Sequence, residues 1–178
     1  MVGNKLTDLK NEITHYLGIP YFINSHHLAA DNVLVGKGTA KEIALKTIEF
    51  ANIDNVKLSD LSPDQIYNFQ KKHHLGVDCS GLACHLLNIF FDASLDVRKT
   101  SANMLTSSPL SRLVTDIQTG DLVRQKKGHH VLFIIETKDN IVYYVDSSFS
   151  GRGVRLGSFD LSDPSFPNQG IFRLKQTM

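Results

Sequence analysis

The sequence lacks an excess of charge of either sign, and it has no long hydrophobic run. It contains 19 basic and 18 acidic residues, giving a formal net charge of +1, so its charge does not predict binding to nucleic acid or to a membrane surface. No segment approaches the roughly 20 apolar residues that span a bilayer. The polar N-terminus lacks the apolar run of a signal peptide. These absences together predict a cytoplasmic protein without nucleic-acid or membrane partners.

Cysteine is also scarce, because the chain has only Cys79 and Cys84. On one helix, a separation of five residues puts the two Cα atoms about 8–9 Å apart, which is beyond the roughly 7 Å that a disulfide spans. The spacing of cysteine and histidine residues matches no common zinc pattern. The sequence therefore predicts two free thiols and neither a metal nor another cofactor. A metal-binding or non-catalytic binding module remains the less favoured alternative.

The order of the predicted elements indicates the fold class. With 178 residues and 42% hydrophobic content, the chain can bury the core of one domain. Apolar residues at helical spacing predict helices over residues 6–17, 39–52, 64–72 and 78–91. Runs typical of strands follow at residues 121–124, 130–135, 141–146, 154–156 and 170–174. Helices followed by strands predict an α+β domain with an antiparallel sheet of about five strands.

Two stretches show weaker patterns. Residues 24–38, which include His26 and His27, are expected to form a loop. Residues 92–119 are mostly polar with scattered apolar residues, and we expect them to be irregular with one short helix.

The predicted helix at residues 78–91 contains the candidate nucleophile. Asp78 and Ser80 are helix-starting residues, so Cys79 falls in the first turn. The free amide hydrogens and the positive dipole end of a helix stabilise a thiolate there. We therefore expect the pKa of the Cys79 thiol to lie below the free value of about 8.5. The alternative is a buried structural cysteine.

A cysteine nucleophile needs a base and usually a third polar group that orients the base. His130 begins one predicted strand and Asp146 ends the next. If residues 137–139 form the hairpin loop, the two side chains face each other with Cβ atoms about 4.5–5.5 Å apart. A two-residue turn at residues 139–140 would instead set Phe149 opposite His130. For Asp146, the alternative is a strand-end carboxylate that binds the following serine amides.

His129 is the other candidate base, because it directly precedes His130. Neighbouring residues on a strand point to opposite faces, so only one of the two histidines can serve the site. We favour His130, which shares a face with Leu132 and Ile134. His129 is then expected to be an exposed loop residue.

Several of these residues together resemble the signature of a known family. The segment Asp-Cys-Ser-Gly-Leu at residues 78–82 is followed about forty residues later by Thr-Gly-Asp-Leu-Val at residues 119–123 and then by His130. This order resembles the NlpC-like family of papain-like cysteine peptidases, and the Pro-Tyr pair at residues 20–21 adds to the likeness. The resemblance implies a papain-like fold, with N-terminal helices that include the cysteine helix packed on a C-terminal antiparallel sheet.

The resemblance also implies a domain layout and roles for individual residues. It implies a single domain over residues 1–178 with an insertion around residues 24–75. Cys79 would be the nucleophile, His130 the general base and then acid, and Asp146 the orienting group. Three further residues would flank the substrate: Tyr21, Asp78 and Ser80. By analogy with family members, the last two would hold a free amino group, and Gly81 would let the helix pack closely on the sheet.

The implied activity is hydrolysis of a peptide-type amide, with a murein-derived cell-wall peptide as the expected substrate. A transamidase, deamidase or acyltransferase would use the same cysteine and histidine, because these reactions share the acyl-enzyme step. A compact chain without a visible leader would also suit a toxin or effector that another machine delivers. The sequence does not indicate the oligomeric state.

Overall fold

The computed structural model describes residues 2–23 and 34–175, with side chains from Lys5 onward in the first helix. This part of the chain has an α+β fold. The helices are α1 Val2–Tyr16, α2 Ala40–Ile53, α3 Pro63–Lys72, α4 Cys79–Phe91 and α5 Ala102–Leu105. The strands are β1 Ser111–Val114, β2 Leu122–Gln125, β3 His130–Lys138, β4 Ile141–Ser148, β5 Gly153–Asp160 and β6 Ile171–Leu174.

The strands form one antiparallel sheet in the order β1-β6-β2-β3-β4-β5. The sheet therefore has six strands in the described residues, one more than predicted. The additional strand, β1, lies in the stretch expected to be irregular and pairs with β6 near the end of the chain. Its four residues show no two-residue alternation in burial, so the distant partner decides its conformation. The short helix expected in this stretch is α5.

Local capping explains why the helices start where they do. Thr39 and Glu42 form a capping box at α2, and Ser62 and Gln65 form another at α3. Asp78 caps α4, because its carboxylate accepts a hydrogen bond from the Gly81 amide at 2.6 Å. These bonds form within four residues of sequence, and the predicted starts of α2, α3 and α4 are confirmed, whereas α1 begins at Val2, four residues before its predicted start.

The sheet buries side chains on both faces. The larger core lies between the helices and the sheet, and in β3 it takes Val131 and Phe133. The smaller core, on the opposite face, takes Leu132 and Ile134 from the same strand. Because successive strand residues alternate between the faces, every residue from His130 to Ile135 is buried.

The predicted loop of the β3–β4 hairpin is wrong. The turn is the two-residue alternative, with Asp139 and Asn140 at φ +48° and +68°, and Lys138 pairs with Ile141. Both residue types tolerate this left-handed conformation. A β-bulge between Ile134 and Glu136 then shifts the register by one residue. The shift sets Asp146 opposite Leu132, diagonal to His130 on the same face of the sheet.

Three chain segments meet at the start of α4. The Val77 amide donates to Pro20 O at 3.0 Å, and the Asp78 amide donates to Gly36 O at 2.9 Å. The Ser147 hydroxyl on β4 donates to Val77 O at 2.6 Å. A Cβ at Gly81 would lie 2.5 Å from Gly36 O. The close approach at Gly81 is thus to this loop, whereas the family resemblance implied an approach to the sheet.

The Gly-Asp pair at residues 120–121 has a structural role. Gly120 has φ +90°, and a Cβ there would lie 2.5 Å from the ring of Phe91 at the end of α4. The Asp121 carboxylate is buried and accepts from Arg173 Nε at 2.8 Å and from Arg173 Nη2 at 2.9 Å. It also accepts from the Gln118 amide at 2.8 Å. The pair therefore joins the beginning of β2 to β6 and to α4.

Among the described residues, no helix is long and apolar enough to cross a membrane. The expected loop at residues 24–38 lies mostly outside the described residues, which exclude His26 and His27. The described part of the expected insertion, residues 34–75, contributes α2 and α3.

Candidate active site

Cys79 is the first residue of α4 and lines a cleft of about 450 Å³. Tyr21, Asp78 and Ser80 line the same cleft, so the structure groups four of the six predicted site residues around one thiol. The Cys79 side chain is largely buried, with 6% of the residue exposed. Within the described residues, the Cys79 amide makes no hydrogen bond, as is usual in the first turn of a helix.

The Cys79 sulfur lies against the backbone at the beginning of β3. It is 3.9 Å from the carbonyl oxygen of His129, and the backbone amide of Val131 favours its thiolate form. The sulfur therefore contacts the peptide groups on both sides of His130. No hydrogen bond in the described residues joins the sulfur to the His130 ring.

His130 and Asp146 form a buried pair. His130 Nε2 lies 3.0 Å from Asp146 Oδ2, and the two side chains are 8% and 1% exposed. Burial opposes ionisation of Asp146, but the hydrogen bond from His130 and the charge of Arg155 hold the pKa of Asp146 below its usual range. Because a carboxylate only accepts hydrogen bonds, Nε2 carries the hydrogen of the neutral ring and Nδ1 keeps its lone pair.

The contacts of Asp146 differ from the alternative interpretation, in which its carboxylate binds the following serine amides. Its second oxygen, Oδ1, accepts instead from Arg155 Nε at 3.1 Å. Arg155 stands directly opposite Asp146 on β5. Sequence reasoning missed Arg155, because its position depends on the β4–β5 register.

His129, the candidate base that the sequence did not favour, is exposed as expected, and it lines the cleft beside Cys79. The side chains of His130 and Asp146 lie on the face of the sheet that carries the smaller core, which is the face away from α4. The thiol and the His130–Asp146 pair therefore approach the beginning of β3 from different sides.

Lys37 is a second residue that the sequence did not reveal. Its Nζ donates to Asp78 Oδ1 at 2.9 Å and to Ser80 Oγ at 2.6 Å. The Ser80 hydroxyl in turn donates to Asp78 Oδ1 at 2.9 Å. The Lys37 and Asp78 side chains are only 12% and 13% exposed. Lys37 is separated from Asp78 by about forty residues and lies in a segment without a clear pattern, so no sequence signal indicated this contact.

Burial raises the pKa of the Cys79 thiol to about 11, and the Asp78 carboxylate acts in the same direction. The Val131 amide, Lys37 and the Ser80 amide favour the thiolate but do not outweigh burial. The expectation of a lowered thiol pKa is contradicted, because burial in the cleft destabilises the thiolate more than the helix N-terminus stabilises it. Burial, with Cys79 and Asp78 nearby, also raises the pKa of Tyr21 to about 12.

We expect alkylation of Cys79 by iodoacetamide to keep accelerating up to about pH 11, because the thiolate forms only as the pH approaches the raised pKa. Asp78→Asn keeps the helix cap but removes a negative charge, so it should increase alkylation at pH 8 by about three- to tenfold. Peptide mass spectrometry across a pH series measures both rates. A plateau below pH 7 in the unaltered protein would contradict the raised pKa.

Cys84 provides an internal comparison for this measurement. It is fully buried, and burial raises the pKa of its thiol to about 12. Both cysteines are free, as predicted. Within residues 2–23 and 34–175, no group of three or more histidine, cysteine or acidic side chains is arranged to hold a metal ion.

Comparisons with protein-family models, with curated proteins and with solved structures find no match to this chain. The residues of the site are therefore the basis for inferring a function. Those residues are a thiol at a helix start, a cleft above the thiol, and a histidine–aspartate pair on the other side of the strand that the thiol contacts.

Proposed function

We propose that the protein is a cysteine peptidase or amidase with a papain-like fold, and that it hydrolyses a peptide-type amide. The observation that carries this proposal is the buried His130–Asp146 hydrogen bond next to the backbone that Cys79 contacts. The pair leaves His130 Nδ1 as the basic ring nitrogen. The thiol contacts the backbone on both sides of His130 from the other face of the sheet, so proton transfer requires the imidazole to reach the thiol around the beginning of β3. The resemblance to NlpC-like peptidases suggests bacterial cell-wall peptides as the substrate class.

The first half of the reaction forms a thioester. Because the thiol is neutral at pH 7, His130 acts as a general base that accepts the thiol proton as the sulfur attacks the carbonyl carbon. The free Cys79 amide donates to the oxyanion of the tetrahedral intermediate. His130 then gives the proton to the leaving amine, and the carbon–nitrogen bond breaks.

The second half of the reaction releases the acid. His130 takes a proton from a water molecule, the resulting hydroxide attacks the thioester, and the proton returns to the sulfur. Asp146 stays ionised throughout and stabilises the imidazolium that forms in each half. A transamidase would share the first half and pass the acyl group to an amine.

The histidine variants test this proposal. His130→Ala should lower kcat/KM for γ-D-glutamyl peptides by about 10²–10⁴-fold, because the general base is lost. Asp146→Asn should lower kcat/KM by less, because the amide oxygen still accepts the hydrogen bond from Nε2 but carries no negative charge to stabilise the imidazolium. Mass spectrometry of the products, with and without an added amine, measures activity and separates hydrolysis from transfer.

His15→Ala is a suitable control, because His15 is an exposed residue on α1 whose side chain is 69% accessible. It should leave the rate unchanged. A severe loss in His129→Ala together with full activity in His130→Ala would contradict the assignment of the base.

A further inference from the structure

Cationic side chains outnumber anionic ones in the lining of the cleft above Cys79. Three of its lining residues are cationic, namely Lys37, Arg98 and Lys99, and one is anionic, namely Asp78. His129 lies at the same cleft. The described lining is therefore positive around a thiol that is itself neutral at pH 7.

The single carboxylate in the lining is already neutralised. Lys37 Nζ binds both Asp78 and Ser80, and the ion pair is largely shielded from solvent. A substrate ammonium group would therefore meet a carboxylate whose charge Lys37 already offsets, so its attraction to Asp78 is weak. The Asp78–Ser80 pair is thus a poor acceptor for a substrate amine.

The two outer cations are held at the cleft by an ordered turn. The Asp96 carboxylate accepts from the Arg98 amide at 3.0 Å and from the Lys99 amide at 3.3 Å, and the Thr100 hydroxyl donates to Asp96 O at 2.7 Å. Arg98 forms no salt bridge within 4 Å among the described residues, although its charge interacts with that of Glu42. Lys99 has only an exposed pair with Asp96 at 3.4 Å, which leaves its amine available.

We infer that the cleft selects acyl substrates that carry a carboxylate beside the scissile amide, with Arg98 and Lys99 binding that carboxylate. A guanidinium presents two parallel N–H donors that match a carboxylate, and a preorganised turn lowers the entropy cost of binding. This inference rests on the proposed function, and it names the substrate class for the same thiol.

Two alkylating reagents that differ in charge test the inference. Iodoacetate is an anion and iodoacetamide is its neutral counterpart, and both react with the same thiolate. The ratio of their rate constants at Cys79 is therefore independent of the thiol pKa. We expect this ratio to be about tenfold higher than at the neutral thiol N-acetylcysteinamide, because the positive cleft concentrates the anion. Sodium chloride at 0.5 M should reduce the excess.

The variant Arg98→Gln/Lys99→Gln should lower the ratio by about three- to tenfold. Lys57→Gln/Arg112→Gln removes the same charge from exposed positions outside the cleft and should leave the ratio unchanged. The thermal midpoint of each variant shows whether it is folded, and the salt series on the unaltered protein requires no variant.

A ratio at Cys79 equal to that of the reference thiol, or one insensitive to both salt and the double substitution, overturns the inference. That outcome differs from a failure of the proposed function, which would appear as undiminished hydrolysis in Cys79→Ala. The alkylation ratio can be measured even if no amide is hydrolysed.

Discussion

Replacing Cys79 with alanine is expected to lower kcat/KM for amide hydrolysis by about 10⁴-fold or more, as happens when a covalent nucleophile is removed. The alanine variant cannot form the thioester, while the cleft and the helix cap from Asp78 are retained. Hydrolysis of γ-D-glutamyl peptides, followed by mass spectrometry of both products, measures the loss.

Cys84→Ala is the matched control, because it removes the other thiol from the same helix. Cys84 is fully buried and does not line the cleft, so this variant should keep its activity apart from a loss of stability through the small cavity. Equal activity in Cys79→Ala and Cys84→Ala would rule out a cysteine peptidase.

The largest loss of stability is expected from Asp121→Ala, which should lower the free energy of unfolding by about 3–5 kcal/mol. The substitution leaves the Arg173 guanidinium, whose side chain is 16% exposed, without its buried counter-ion. It also leaves the Gln118 amide without its acceptor. Urea unfolding followed by circular dichroism gives the free energy and shows whether unfolding remains two-state.

Asp116→Ala is the control for this prediction, because Asp116 contacts the same guanidinium at 3.0 Å from an exposed position. An exposed ion pair contributes little, so the variant should unfold close to the midpoint of the unaltered protein. Similar midpoints for the Asp116 and Asp121 variants would show that the buried pair does not hold β2 and β6 together.

Cys79 and Asp121 lie in separate parts of the fold and have different roles. Asp121 holds β2 and β6 together, whereas Cys79 supplies the nucleophile of the proposed reaction at the beginning of β3. The Gly-Asp pair that contributed to the family resemblance lies in the framework and makes no contact with the thiol among the described residues. Its presence in the sequence therefore indicates how strands are joined, whereas the proposed catalysis depends on residues 79, 130 and 146.

The sequence by itself determined the starts of α2, α3 and α4 and the position of the thiol. Capping bonds such as those of Thr39 and Asp78 form within four residues, so local sequence is sufficient to encode them. The strand segments from β2 onward were also predictable, because runs of β-branched and aromatic residues occur between turn residues. The His130–Asp146 contact was expected as well, although from the wrong register.

Tertiary structure decided the features that join distant segments. The two-residue turn and the bulge make His130 and Asp146 diagonal neighbours, and only packing against both cores fixes that register. Lys37 reaches Asp78 across forty residues, and β1 exists because β6 pairs with it. The thiol pKa rises because the folded chain excludes water from Cys79, and solvation depends on burial that no short stretch of sequence encodes.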